Sequence, residues 1–89
     1  MYKILVKFEV RDYPIWKKGF DSGAGPRQAA GIETADILCS VDGDTKVVVI
    51  FQTRDLEKAK AHLTNPEVKK GQANSGFLAP PELFFGKVM

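Results

Sequence analysis

The segment Lys46 to Thr53, KVVVIFQT, constrains this chain more than any other, because it is apolar on both of its faces. Side chains alternate across a strand, so Val47, Val49 and Phe51 fall on one side and Val48 and Ile50 on the other. A strand with one solvated face would carry polar residues at one of those sets. This run therefore belongs in the middle of a sheet, with apolar material against both surfaces.

The chain is too short to supply both covers easily. It has 89 residues, the size of one domain spanning 1–89. A domain this small buries only about 60% of its unfolded surface, so its own core is thin. Disulfides, metals or association commonly make up the difference. The single cysteine, Cys39, leaves no internal disulfide, and with the single histidine, His62, it cannot make a four-ligand zinc site. No metal and no cofactor is expected from this inventory, which leaves association with a second copy.

The remaining elements read in order. Tyr2 to Val10 alternates, with Ile4, Val6, Phe8 and Val10 on one face and Lys3, Leu5, Lys7 and Glu9 on the other. Asp12 is an N-cap and Pro14 lies in the first turn of a helix running to about Ser22. Gly23 to Pro26 interrupts it, and a short helical piece from about Pro26 to Ala30 ends at Gly31, a natural C′ residue. Ile32 to Val41 is a second strand, and VDGDTK a hairpin bent at Asp42-Gly43-Asp44. After the third strand, Asp55 caps the helix DLEKAKAHL, with Leu56, Ala59 and Leu63 at core spacing. Asn65-Pro66-Glu67 starts another turn or two of helix, ending by Asn74 to Gly76, and ELFFGKV is a last strand.

The order β-α-β-β-α-β is the split βαβ pattern of ferredoxin-like α+β folds. Right-handed crossovers then place the first and third strands at the centre of a four-stranded antiparallel sheet with helices on one face. The apolar residues of the other face would be exposed in a monomer, and such patches mark interaction sites. The expectation is a homodimer packed through the open sheet face.

Composition excludes several classes. Thirteen basic and 11 acidic residues are interleaved, for a net charge of +2, too balanced for a dedicated nucleic-acid-binding protein. The Lys17-Lys18 and Lys69-Lys70 pairs read as solvated helix faces. The N-terminus lacks an uninterrupted apolar signal core, and no run approaches the ~20 residues of a membrane span. Neither nucleic acid nor membrane is an expected partner, and the expected location is cytoplasmic.

Segment by segment, DYPIWKKGFD after the first strand, RQAAGI before the second, DLEKAKAHL after the third and GFLAPPELFF at the end, the chain resembles the dimeric α+β barrel superfamily. It is most similar there to small antibiotic-biosynthesis monooxygenase-like members without an assigned activity. The resemblance covers nearly the whole chain and implies a dimer with a pocket. It carries no catalytic residue across. Haem-degrading relatives use a first-strand Asn with a later Trp and His, whereas this chain has Lys and Glu at the polar positions of its first strand and its only Trp, Trp16, in the first helix. Cofactor-free monooxygenases place Asn, Trp and Tyr around a polyketide-like substrate, and here Tyr2 and Tyr13 both lie at the front of the chain.

Candidate sites follow from residue type and spacing. SGAGPRQAAG lacks the third glycine of a dinucleotide loop, with Gln28 in its place, and it follows a helix rather than a strand. Its glycines serve the turn between two helical pieces. Tyr13, Trp16 and Phe20 share one helix face directed at Phe8 and Phe51. They form either plain core or the wall of a pocket between helix and sheet. Arg27 is either a surface partner of Asp21 or a pocket group able to hold a carboxylate. His62 sits at the boundary of its helix's apolar stripe, either as a structural residue or as a proton carrier. Cys39 reads as a small buried hydrophobe beside Ile37 and Val41, and Asp36, with Thr34 and Leu38, as either a polar group of the pocket or, the favoured reading, an edge-strand charge that discourages aggregation. The ligand-binding set is thus Tyr13, Trp16, Phe20, Arg27 and Phe51, with His62 as the catalytic candidate. Two functions remain open: a cofactor-independent enzyme of monooxygenase-like or isomerase type acting on a small organic molecule, and a non-catalytic interaction or ligand-sensing dimer.

Overall fold

The computed structural model describes residues 1–43 and 45–89. Its elements are β1 (Tyr2–Glu9), α1 (Tyr13–Ser22), α2 (Ala24–Ala29), β2 (Glu33–Cys39), β3 (Lys46–Thr53), α3 (Leu56–Leu63), α4 (Pro66–Asn74) and β4 (Glu82–Lys87). The four strands form one antiparallel sheet in the order β2-β3-β1-β4. The fold is therefore ferredoxin-like α+β, with β3 and β1 at the centre. Ile4 pairs with both Phe51 and Phe85, and Val6 with both Val49 and Leu83, so the inner-face residues stack in rows across the sheet.

That inner face holds the core. Ile4, Val10, Val47 and Val49 are the largest fully buried side chains, joined by Val6, Phe8 and Phe51 from the strands and by Trp16, Ala59 and Leu63 from the helices. The helix starts are set by side-chain caps. Asp12 accepts a hydrogen bond from the Ile15 amide, Asp55 from Lys58 and Asn65 from Glu67. Each satisfies a donor the helix leaves unpaired, worth about 1 kcal/mol. Helix α2 begins at Ala24, earlier than Pro26, because a proline in the first turn gives up only an amide that has no helical partner. It ends as expected at Gly31, with φ +75. The Ile32 amide donates to the Arg27 carbonyl and the Gly31 amide to Gln28, the paired bonds of a Schellman cap.

Three expectations need correction. Strand β2 is shorter than Ile32 to Val41 and carries a bulge between Thr34 and Asp36. The bulge puts Thr34 opposite Phe51 and Asp36 opposite Ile50, so Thr34 does not share a face with Asp36 and Leu38. Cys39 is exposed at the end of β2 rather than buried in mid-strand, because β2 is an outer strand of the sheet. The hairpin after it is closed by the Ser40 amide donating to the Lys46 carbonyl and by Gly43 donating to Ser40. The expected bend residue Asp44 lies outside the described residues.

The open face carries Leu5, Val48 and Ile50 at its centre, all half-buried, with Leu38 51% and Phe84 64% exposed beside them. Cross-strand pairing sets Lys7 opposite Glu82 and Glu9 opposite Lys46 around this patch. Among the described residues no helix is long and apolar enough to cross a membrane.

Candidate functional site

A cavity of about 330 Å³ lies between the helices and the inner face of the sheet. That is within the range of small-ligand sites, roughly 300–1,000 Å³. Its floor is Val6, Phe8, Val49 and Phe51 from the central strands. One wall is built by α1. Trp16, only 3% exposed, lies with its ring centroid 5.1 Å from Phe8 and 5.1 Å from Phe20, and Phe20 stacks toward Phe51 at 6.1 Å. These offset and tilted rings are the arrangement that aromatic quadrupoles favour. The opposite side is α4 with its C-cap, through Val68, Gly71, Gln72 and Ser75, and Phe77 closes the end, stacked on Phe8 at 4.3 Å.

The basic side chains on this lining are Arg27 and His62, and no carboxylate shares it. Arg27 lies flat on Phe20, its guanidinium carbon 3.8 Å from the ring centroid. The face of an aromatic ring attracts that cation and fixes its plane. Gly23 makes room for it, since a Cβ there would stand 3.0 Å from Nη1. The Schellman cap that ends α2 holds the same residue's backbone. Among the described residues the guanidinium makes no hydrogen bond and no ion pair, and the one ion pair of α1 joins Lys17 to Asp21 instead. Burial pulls the Arg27 guanidinium below its ordinary value, with Asp21 opposing. His62, half-buried on α3, is held below the usual histidine value first by burial and then by the positive charge of Arg27. Two basic groups thus share an apolar cavity whose lining holds no carboxylate, with Asp21 acting on Arg27 from outside it.

Of the six residues singled out by spacing, Trp16, Phe20, Arg27, Phe51 and His62 line one cavity. Tyr13 does not. Its ring centroid is 5.5 Å from that of Trp16, and burial, followed by the neighbouring Cys39, raises its phenol above the ordinary value. The stretch of sequence left unread is the α4 side. Val68, Gln72 and Ser75 recur at helical spacing and were legible as one stripe. Phe77 stands in an irregular segment after Gly76, where no periodicity marks it. Among the described residues no group of three or more His, Cys, Asp or Glu side chains converges to hold a metal ion.

Solved structures share this architecture from end to end. A protein from Nitrosomonas europaea described as a "Putative antibiotic biosynthesis monooxygenase" superposes with TM-score 0.74 at 19% identity, covering 100% of this chain and 99% of its own. A Bordetella bronchiseptica protein of the same description gives TM-score 0.79 at 8% identity, covering 99% of this chain and 96% of its own. One from Caulobacter crescentus gives 0.74 at 14% identity, covering 99% and 89%. The chain therefore has the fold of the antibiotic-biosynthesis monooxygenase-like proteins. No family model matches the sequence, and no curated protein matches it.

Proposed function

We propose that this protein is a homodimer, packed through the open sheet face, that binds a small organic anion in the cavity of each subunit. The observation that carries this reading is the unpaired, half-buried Arg27 lying on Phe20 beside His62, in a cavity without a carboxylate. A planar guanidinium so placed suits a carboxylate or an enolate oxygen, and the surrounding rings suit an apolar body. The reaction class that fits is cofactor-independent chemistry of the monooxygenase-like or isomerase type. Its support is the description carried by the structural neighbours and a histidine kept neutral near pH 7, as a proton acceptor must be. In this reading Arg27 holds the developing negative charge, His62 moves the proton, and Trp16, Phe20 and Phe51 shape the pocket.

A ligand-sensing dimer without turnover has one observation in its favour. Among the described residues no group hydrogen-bonds the His62 side chain, so nothing orients its imidazole as a catalytic base is usually oriented. Two experiments test the proposal. Native mass spectrometry of the gently purified protein is expected to give a dimer, and a monomer at micromolar concentration would overturn the sheet-to-sheet assembly. Titration of ¹⁵N-labelled protein with benzoate is expected to shift the amides of Gly23, Arg27 and His62 and to lose those shifts in Arg27→Met. Shifts that persist in Arg27→Met, or none at all, would overturn the anion site.

A further inference from the structure

A second cavity, of about 470 Å³, lies on the other flank of α4. Its apolar lining comes from Leu63, Phe77, Leu78, Pro80, Pro81 and Leu83. Three of its wall residues, Leu63, Gln72 and Phe77, are also walls of the first cavity. The two spaces therefore adjoin at these shared residues, two of which, Gln72 and Phe77, are incompletely buried. Helix α4 roofs both: Val68, Gly71 and Gln72 face one, while Lys69, Gln72 and Ala73 face the other. That helix buries none of its own residues. A helix gains most of its stability from burying an apolar face, so this roof lacks the packing that would normally hold it. The charges are distributed unequally. The first cavity has the half-buried Arg27 and His62, and the second has only Lys69, exposed on its rim.

Resting on the anion site proposed above, we infer that the two cavities are one bent channel beneath α4, and that its ligand is an elongated amphipathic acid. The acidic head lies against Arg27 and His62, and the apolar tail passes Phe77 into the chamber of Leu78 and Leu83, beneath α4. The two volumes together still fall within the range of ligand sites, roughly 300–1,000 Å³. A compact aromatic acid would fill the first chamber alone and leave α4 unsupported. An acyl tail supplies the apolar surface that α4 does not find within the chain.

The test compares the carboxylates hexanoate, octanoate and decanoate, below their micellar concentrations, by titration of ¹⁵N-labelled full-length protein. Hexanoate is expected to shift amides around Gly23, Arg27 and His62, and decanoate to shift those of Ala73, Leu78 and Leu83 as well. Affinity is expected to rise about fourfold for each added methylene. Ala73→Trp, placed at an exposed helix position, fills the second chamber from its roof. It is expected to cut the advantage of decanoate over hexanoate at least tenfold with hexanoate affinity unchanged. Leu78→Glu, at a half-exposed position, does the same without adding bulk to the helix. Arg27→Met weakens all three acids, and Lys69→Met weakens none. If decanoate keeps its full advantage in both Ala73→Trp and Leu78→Glu, the channel is refuted, while an Arg27-dependent hexanoate signal leaves the anion site standing. If no acid binds in an Arg27-dependent way, both readings fall together.

Discussion

Helices α1 and α4 border the same cavity and are nearly equal in length, yet they are held in opposite ways. Helix α1 drives Trp16 into the sheet and links Phe8 to Phe51 through a run of ring contacts. Helix α4 buries no residue and touches α3 sparsely; its start is held by the Asn65 cap, and Ser75 at its end lies close to Gly19, where a Cβ would come within 2.8 Å of the hydroxyl oxygen. The contrast separates a wall from a roof. The wall belongs to the folding core, so its cost of disruption is global. The roof has none of its own residues buried, so little apolar surface would be lost if it moved.

The largest effect that can break this contrast comes from truncating each side in turn. Trp16→Ala is expected to cost about 3–5 kcal/mol, the range for removing a large buried aromatic. Val68→Ala, from a half-buried position on the roof, is expected to cost under about 1 kcal/mol. Urea unfolding at a single protein concentration measures both, since the stability of the proposed dimer would depend on concentration. Equal losses would mean that α4 is as much a part of the core as α1.

A smaller effect, with opposite signs on the two sides, is available at glycine. Gly31 closes α2 at φ +75, so Gly31→Ala is expected to destabilise by about 1–2 kcal/mol. Gly71 lies within α4, and a Cβ there meets nothing within 4 Å. Gly71→Ala is therefore expected to stabilise by about 0.5–1 kcal/mol and to slow hydrogen exchange across α4. Thermal melts and exchange read the two outcomes, and a loss of stability in Gly71→Ala would show that the roof is already packed tightly.

The smallest effect concerns pH. His62 has a folded value below its unfolded value of about 6.5, so the unfolded chain binds more protons in the window just beneath that value. Its contribution to stability is complete above about pH 6.5 and is lost as pH falls toward the lowered folded value. The melting temperature is expected to drop on acidification through this window, less steeply in His62→Gln. In the same window a carboxylate held at the proposed anion site is expected to bind more tightly, because protonated His62 would add a second cation beside Arg27. A melting curve equally steep with and without His62 would remove it from the shared electrostatics of the cavity.

Much of this was legible in the sequence, and the residues show why. KVVVIFQT spans a central strand in the structure because alternation and a two-faced apolar pattern are local properties. Asp12, Asp55, Asn65 and Gly31 mark helix ends because caps act over three or four residues. The face shared by Trp16 and Phe20 follows from the helical period alone. Cys39 was misplaced because alternation gives the side of a strand but not whether anything covers its end. Tyr13 shares a helix face with Trp16, yet it begins the helix and is not among the residues that line the cavity, and a shared face does not say how far along it a cavity extends.

Sequence alone determined the element order, the sheet's central strands and the face that Trp16 and Phe20 share toward the sheet, while leaving open whether that face is core or pocket wall. Those depend on periodicity and capping, which are short-range. Tertiary structure decided that Arg27 and His62, 35 positions apart in the chain, face one space, that Phe77 closes it, and that α4 roofs two cavities while burying nothing. Those are meetings between elements, and they depend on how side chains fill the volume between a twisted sheet and its helices.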